Sequence, residues 1–274
     1  MSVAESAAGT TPLAADPIDH ASGRAAAAVL AWREGVRFRR QPARVVAALG
    51  TALMLWVIVG SGLGGSMSID THGRYSTYLV PGMMTLVAMF ASIFSAIAVI
   101  DDRRDGFLQG VLVSPAPRWS IAVGTIAGGA IVAFVQAVVL VPLVWFSGAR
   151  PGAGDVLLAL VALLLTCIAL QGVGFAFAWR SRDTASFHSI MNTVLMPLWL
   201  LSDAFFPLEG ASRWLAAIIA INPLSWCGEA IRHPLSGQSG VGWPLLGATL
   251  FAVAALAWST WSVARPSRLV MGGK

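Results

Sequence analysis

Uncharged apolar runs long enough to cross a bilayer recur along this chain, and arginine collects in the short stretches between them. At about 1.5 Å of rise per residue, a helix needs about 20 apolar residues to cross roughly 30 Å of hydrocarbon. Val45 to Gly65, Tyr78 to Ile100, Trp119 to Phe146, Val156 to Trp179 and Trp243 to Val263 meet this length without a charged residue. A sixth run, Ile190 to Phe206, is shorter and holds Asp203 near its far end. An acid at the bilayer centre costs about 2.5–3.5 kcal/mol, which places Asp203 at the membrane edge. The pattern predicts an all-α membrane protein with six transmembrane helices.

Six spans put both termini on one side. That side collects 14 of the 18 basic residues, among them Arg24, Arg33, Arg37, Arg103, Arg104, Arg180 and Arg268. The other side holds Arg74, Arg150, Arg213 and Arg232. The positive-inside rule then makes both termini cytoplasmic. Residues 1–23 are rich in Ala, Ser, Thr, Pro and acids, with no basic n-region or continuous apolar segment, and read as a disordered cytoplasmic tail. Residues 24–41 form a helix that Pro42 interrupts. Ala25, Val29, Trp32 and Val36 share one face of it, as suits an interfacial amphipathic helix with its arginines on anionic lipid. Plain anchoring of the first span is the alternative. Residues 42–265 make up the six-span domain, and 266–274 a cytoplasmic C-terminal tail.

Composition narrows the class further. The chain is 57% hydrophobic and 11% charged, far from the quarter of charged residues usual in soluble domains. Its net charge of +5 comes from scattered clusters between apolar runs, which indicates membrane topology and no nucleic acid. Cys167 and Cys227 are small apolar fillers, so no metal site or disulfide framework is expected. His20, His72, His188 and His233 show no zinc spacing, and no catalytic cluster emerges. A phosphate-binding P-loop needs a lysine after its last glycine, yet the single lysine is the final residue, Lys274. The chain therefore binds no ATP through such a loop.

Two segments stand out. In "DDRRDGFLQGVLVSPAPRWS", residues 101–120, Phe107, Leu108, Val111 and Leu112 occupy one arc of a helix. Asp102, Asp105 and Gln109 gather opposite, and Ser114-Pro115-Ala116-Pro117 ends it. This is a short amphipathic helix on the cytoplasmic surface between spans two and three; a solvated loop is the alternative. In "FFPLEGASRWLAAIIAINPLSWCGEAIR", residues 205–232, the stretch Trp214 to Ile221 is too short to span and is bracketed by Pro207 and Pro223. It reads as a re-entrant helical hairpin or an interfacial loop helix, with Glu229 and Arg232 paired one turn apart.

Both segments resemble the membrane subunits of ABC-2 type exporters, the drug-resistance and nodulation-factor permeases. The first matches at Asp102, Arg103, Gly106, Leu108, Leu112, Ser114, Pro115 and Gly124. It departs at Asp102, usually Glu, and at Phe107, often Thr. The second matches in its Phe-Pro, Asn-Pro-Leu, acid and arginine. The resemblance covers roughly residues 30 to 265.

It implies a permease: the membrane half of an exporter, located in the cell membrane of a bacterium. Two separate ATPase subunits would bind ATP and Mg, and a second permease chain would complete a homodimer. Asp102, Arg103, Gly106, Phe107, Leu108, Val111, Leu112, Ser114 and Pro115 would form the coupling helix that docks on the ATPase. Pro207, Trp214, Ile218, Asn222, Pro223, Glu229 and Arg232 would form an outer gate. Gln136, Gln171, Asn192 and Ser202, polar positions within spans, are candidates to line the path or to glue helices together. Sparse charge in the spans favours an amphipathic cargo such as a drug, lipid or glycolipid, with membrane lipids as further partners. An intramembrane lipid-modifying enzyme using Asp203, Glu209 and Glu229, or a non-transporting membrane regulator, is the competing reading.

Overall fold

The computed structural model describes residues 20–63, 75–113, 117–204, 212–238 and 240–265, and every regular element among them is a helix. In chain order these are α1 (His20–Arg39), α2 (Pro42–Leu63), α3 (Tyr75–Arg104), α4 (Phe107–Val113), α5 (Arg118–Val138) and α6 (Pro142–Phe146). There follow α7 (Ala153–Arg180), α8 (Thr184–Leu200), α9 (Arg213–Ile221), α10 (Pro223–Leu235) and α11 (Gly242–Ala264). Residues 1–19 of the expected N-terminal tail and all of 266–274 lie outside the described residues. So do Ser114, Pro115, Pro207 and Glu209, and the side chain of Leu112.

Five helical stretches are long and apolar enough to cross a membrane: α2, α3, α5 with α6, α7 and α11. They fall on five of the expected runs. The break between α5 and α6 is set by Pro142, which has no N–H to continue the ladder. The expected fifth span is α8, which starts at Thr184, earlier than the apolar run. Asp183 caps it, its carboxylate accepting from the Ser186 N–H at 2.8 Å and so satisfying an otherwise orphaned donor. At 17 residues α8 rises about 25 Å, somewhat less than the hydrocarbon thickness. Together α9 and α10 are apolar enough for a span but are bent by 82° at Asn222.

The centre of the bundle is α3, which buries Leu79, Val80, Met83, Met84, Leu86 and Val87 along one continuous stretch. Against it pack α2, α5, α7, α8 and α10, while α11 lies on α7. The Ser259 hydroxyl donates to the Gly172 carbonyl at 2.7 Å across that last contact, so this hydroxyl is satisfied between two apolar helices.

Helix α1 packs lengthwise along α5, in the same direction. Gly23 meets Pro117 and Trp119, Ala27 meets Gly124, and Ala31 meets Gly128. This four-residue repeat of Ala and Gly lets two backbones approach closely, as in other small-residue helix contacts. The expected apolar stripe is there on the outer side: Val29, Trp32 and Val36 are exposed. The arginines divide differently from the expectation of a face laid on lipid. Arg24, Arg39 and Arg40 are exposed, whereas Arg33 and Arg37 turn inward to α3.

A Cβ at Gly128 would lie 2.7 Å from the Ala31 Cα and 2.8 Å from its carbonyl oxygen, both backbone atoms that cannot give way. Gly128→Val is expected to push α1 off α5 and to destabilise by about 1–3 kcal/mol, the usual cost of overpacking. Gly50→Ala, where nothing lies within 4 Å, should instead gain about 0.5–1 kcal/mol of helix stability. Unfolding midpoints of the detergent-solubilised chain measure both.

Candidate functional site

At its C-terminal end α3 finishes in Asp102-Arg103-Arg104, and α4 begins after a two-residue turn. Gly106 makes the turn with φ of 78°, a left-handed conformation that only glycine adopts freely. The Gly110 N–H then donates to the Gly106 carbonyl, starting the short helix.

The Asp102 carboxylate is buried and held by two guanidinium groups from α1. Arg33 binds both of its oxygens, Nη2 donating to Oδ1 at 2.7 Å, and Arg37 Nη2 donates to Oδ1 at 2.6 Å. Four residues apart, Arg33 and Arg37 lie on one face of α1 and close on the acid together. The Arg33 guanidinium also lies 3.9 Å over the Phe107 ring, so α4 is fastened to the same cluster. Arg103 reaches the other way. Its guanidinium donates to the carbonyls of Ala178, Trp179 and Ser181 at 3.1, 2.9 and 2.8 Å, capping the C-terminal end of α7 where carbonyls lack helical partners.

Of the residues expected on a docking helix, Asp102 and Arg103 thus point into the protein, and Leu108 is buried against the bundle. Phe107 is 40% exposed, and Val111 is half-buried. Arg104, Asp105, Gln109 and Gly110 face outward.

Beside Asp102 lies Glu34, buried between α1, α3 and α5. Its carboxylate has Arg37 Nη1 at 3.5 Å and the Ser95 hydroxyl at 3.5 Å. Burial pushes this carboxyl above its ordinary value, with Arg37 pulling the other way. Gln171 donates to the Ser95 hydroxyl at 2.7 Å, and Gln136 sits at the same small cleft as Glu34 and Arg37. Ser202 is buried and donates to the Trp199 carbonyl at 2.6 Å, whereas Asn192 is exposed on α8. The four polar span residues are therefore not brought to one path within a single chain.

The second charged cluster joins α3, α10 and the turn after α8. Asp203, expected at the membrane edge, is 2% exposed and forms a buried ion pair with Arg232. Arg232 Nη2 also donates to the Asp203 carbonyl at 3.0 Å, and the Tyr78 hydroxyl donates to that same carbonyl at 2.5 Å. The guanidinium lies 4.0 Å over the Tyr78 ring. Asp203 is the ion-pair partner of Arg232, in place of the expected Glu229. The reason is proximity: a Cβ at Gly228 would meet Asp203 Oδ1 at 2.7 Å, so only a glycine lets the acid lie against α10. Asn222 sets the bend before α10, accepting from the Leu224 N–H at 2.9 Å and donating to the Leu198 carbonyl at 2.6 Å. Pro223 follows at the first helical position, and Trp214 and Ile218 are exposed on α9. Among the described residues no group of His, Cys, Asp and Glu could hold a metal ion.

Arg33, Glu34 and Arg37 belong to this arrangement although no motif drew attention to them. Their signal was the i, i+4 arginine pair flanking an apolar stripe, which fits lipid headgroups as well as a buried acid.

The bundle of apolar helices thus carries a short fastened helix at one end of α3 and a bent helix pair at the other. Residues 26–235 match the ABC-2 type transporter family, and the chain belongs to that family. The transport permease ycf38 of Cyanophora paradoxa is 25% identical over 216 residues, covering 77% of this chain and 74% of its own. The ABC transporter permease YbhR of Escherichia coli strain K12 is 27% identical over 151 residues, 55% of this chain and 41% of its own. The daunorubicin resistance ABC transporter permease protein DrrB1 of Streptomyces coeruleorubidus is 22% identical over 216 residues, 76% and 74% of the two chains.

Two expectations follow. Removing one member of the Asp203–Arg232 pair leaves a buried uncompensated charge, costing about 3–5 kcal/mol, whereas replacing both by apolar residues is near neutral. Arg232→Met and Asp203→Leu should each lower the unfolding midpoint sharply, and the double variant should recover most of the loss. For Glu34, the unfolded carboxyl titrates near 4.5 and the folded one higher. Below pH 4.5 both states are protonated and the site is indifferent; as pH rises through the folded value, ionising the buried group destabilises the fold. Glu34→Gln should therefore be the more stable protein at pH 8, with the advantage gone at pH 4, as read from midpoints across that range.

Proposed function

We propose that this chain is the permease subunit of an ATP-driven exporter that moves an amphipathic or lipid-like cargo, such as a drug, lipid or glycolipid, out of the cytoplasm or inner leaflet. The reading follows from membership in the ABC-2 family. The daunorubicin resistance named for DrrB1 supports a drug-like cargo. Separate ATPase subunits, two per assembly, bind ATP and Mg and supply the energy. The concentration of arginine on the terminal side supports a bacterial inner-membrane protein with both termini in the cytoplasm.

The observation that carries the coupling role is the fastening of α4. A push on this short helix is felt by α1 through Arg33, by α3 through its own covalent continuation, and by α7 through Arg103. The ATPase contact is then the outward side of the segment, Arg104, Asp105, Phe107 and Gln109, with Asp102, Arg103 and Leu108 behind it as the mounting. The family resemblance assigns Val111, Leu112, Ser114 and Pro115 to the same docking role.

A second permease chain is supported by α8. It buries only Phe187, Met191, Leu195 and Trp199, one turn apart each, and leaves Asn192 and Thr193 exposed. Polar side chains at membrane depth are favoured against protein over lipid, so a second copy covers this face and the path runs between the two chains. At the outer end the α9–α10 pair closes the path, anchored by Arg232 and Asn222, with Glu229 beside the anchor.

Gln109→Trp adds bulk to the exposed side of α4 without touching its buried side. With the cognate ATPase co-expressed, transport of cargo and co-purification of the ATPase should each fall about tenfold or more, a loss of about 1.4 kcal/mol of docking energy. Membrane insertion and thermal stability should be unchanged. Undiminished ATPase association and transport would remove α4 as the coupling surface. Steady-state ATP hydrolysis by the chain purified without ATPase would overturn the permease reading itself.

A further inference from the structure

The outer side of α1 borders a groove of about 560 Å3 along α5. Small residues, Ala31 and Gly35 on α1 and Gly128 on α5, leave the space open, and Trp32 and Ile131 give it apolar sides. Both of these large side chains are mostly exposed, Trp32 at 75% and Ile131 at 56%. Arg39 is the charged residue of the lining, and among the described residues it has no ion pair.

An apolar trough ending at an unpaired cation is complementary to a molecule with a hydrocarbon chain and one anionic group. Its size lies within the ~300–1,000 Å3 of small-molecule sites. Ile131 belongs to the apolar stretch Arg118–Phe146 that is long enough to span, so the groove opens on a surface where acyl chains are the surrounding solvent. We propose that it seats an acyl chain of an anionic phospholipid, with the phosphate on the Arg39 guanidinium. The match is in charge as well as shape: a zwitterionic lipid supplies the chain equally well but lacks the net negative charge that Arg39 leaves unanswered.

Two features confine this site to the groove. Arg33 and Arg37 are committed to Asp102, so Arg39 is the last-turn arginine of α1 that remains to meet a phosphate. A Cβ at Gly35 would meet nothing within 4 Å, so a larger side chain there enters the trough instead of the protein. Gly35→Leu fills the space without disturbing the α1–α5 contact, and a helix interior favours leucine over glycine.

The test uses the full chain reconstituted in mixed phosphatidylcholine and phosphatidylglycerol vesicles, with bromine on the acyl chains of one lipid at a time. Brominated chains quench indole fluorescence on contact, and subtracting the signal of Trp32→Phe isolates Trp32 from the chain's 11 tryptophans. At equal mole fraction, brominated phosphatidylglycerol should quench Trp32 about fivefold more effectively than brominated phosphatidylcholine, the ratio that one basic residue is worth at an anionic surface. Arg39→Gln should bring that ratio close to one, while Arg24→Gln, at the other end of α1, leaves it intact. Gly35→Leu should weaken quenching by both lipids at an unchanged unfolding midpoint. Equal quenching by the two lipids in the unaltered protein, an equal loss of preference in Arg24→Gln, undiminished quenching in Gly35→Leu, or a Trp32 that neither lipid quenches would each overturn the site. The last outcome would mean that protein covers the groove.

Discussion

The end of this protein where α3 runs into α4 is organised by one carboxylate. Asp102 is accessible enough to its surroundings to be charged and buried enough to need partners, and it takes both from α1. An exposed ion pair is worth about 0–1 kcal/mol, but breaking a buried one costs about 3–5 kcal/mol because a charge is left without solvent or counterion. The difference between those figures is why α1 stays on the bundle in one register. Its contact with α5 is made of Ala and Gly, which permit close approach but discriminate little between one four-residue step and the next. The two arginines reduce that freedom, since a slide of one turn along α5 would leave at most one of Arg33 and Arg37 on the acid. Through the ring of Phe107, the same cluster holds α4.

The Asp203 cluster obeys the same rule in a different setting. Here the acid sits on irregular backbone, on the turn Leu201–Ala204 after α8, and backbone outside a helix needs partners when it is buried. The Asp203 carbonyl finds them in Tyr78 and Arg232, and the Ser225 hydroxyl accepts from the Asp203 N–H at 3.3 Å. The ion pair is therefore only part of its function. Arg232 answers a charge and an orphaned carbonyl at once, which Lys with its single ammonium head would do less well. Asn222 does the equivalent for the end of α8 by donating to Leu198. The bend at Asn222 and the turn after α8 are thus stabilised together.

How much of this was legible beforehand depends on the range of the interaction. Five apolar runs and the helix break near Pro42 were readable, because hydrophobic length and the missing proline N–H act locally. The start of α8 precedes its apolar run, and its only local signal is Asp183 three residues before Ser186, a cap that hydrophobic length does not report. The polar partners were out of reach. Arg33 meets Asp102 across 69 positions, Tyr78 meets Asp203 across 125, and nothing in the periodicity of either segment names the other. A membrane rule did not reveal the partner of Asp203, for an instructive reason. It assigns the acid a cost against lipid, whereas protein with Arg232 and the space left by Gly228 offers a lower-energy place nearby. Glu229 was the expected partner of Arg232 because i, i+3 spacing is visible in sequence, and Asp203, 29 positions away, is not.

The same contrast explains which charges are left at the surface. Arg103 is consumed by two carbonyls of α7 and that of Ser181 just beyond it, and Arg33, Arg37 and Arg232 by two acids. Two of these arginines lie close to one that is spent differently: Arg104 beside Arg103, and Arg39 beside Arg37, are exposed. Adjacent positions on a helix point about 100° apart, and Arg37 and Arg39 diverge by twice that, so an arginine cluster in sequence separates into inward and outward members. The inward members fix how the helices sit, and their energy depends on burial and geometry. The outward members are screened within roughly 8 Å at physiological salt and act only on what comes into contact. Counting arginines in a loop treats both kinds alike, because both count toward the same side of the membrane. It cannot divide them, and in this chain the division is what distinguishes the mounting of α4 from the surface that α4 presents.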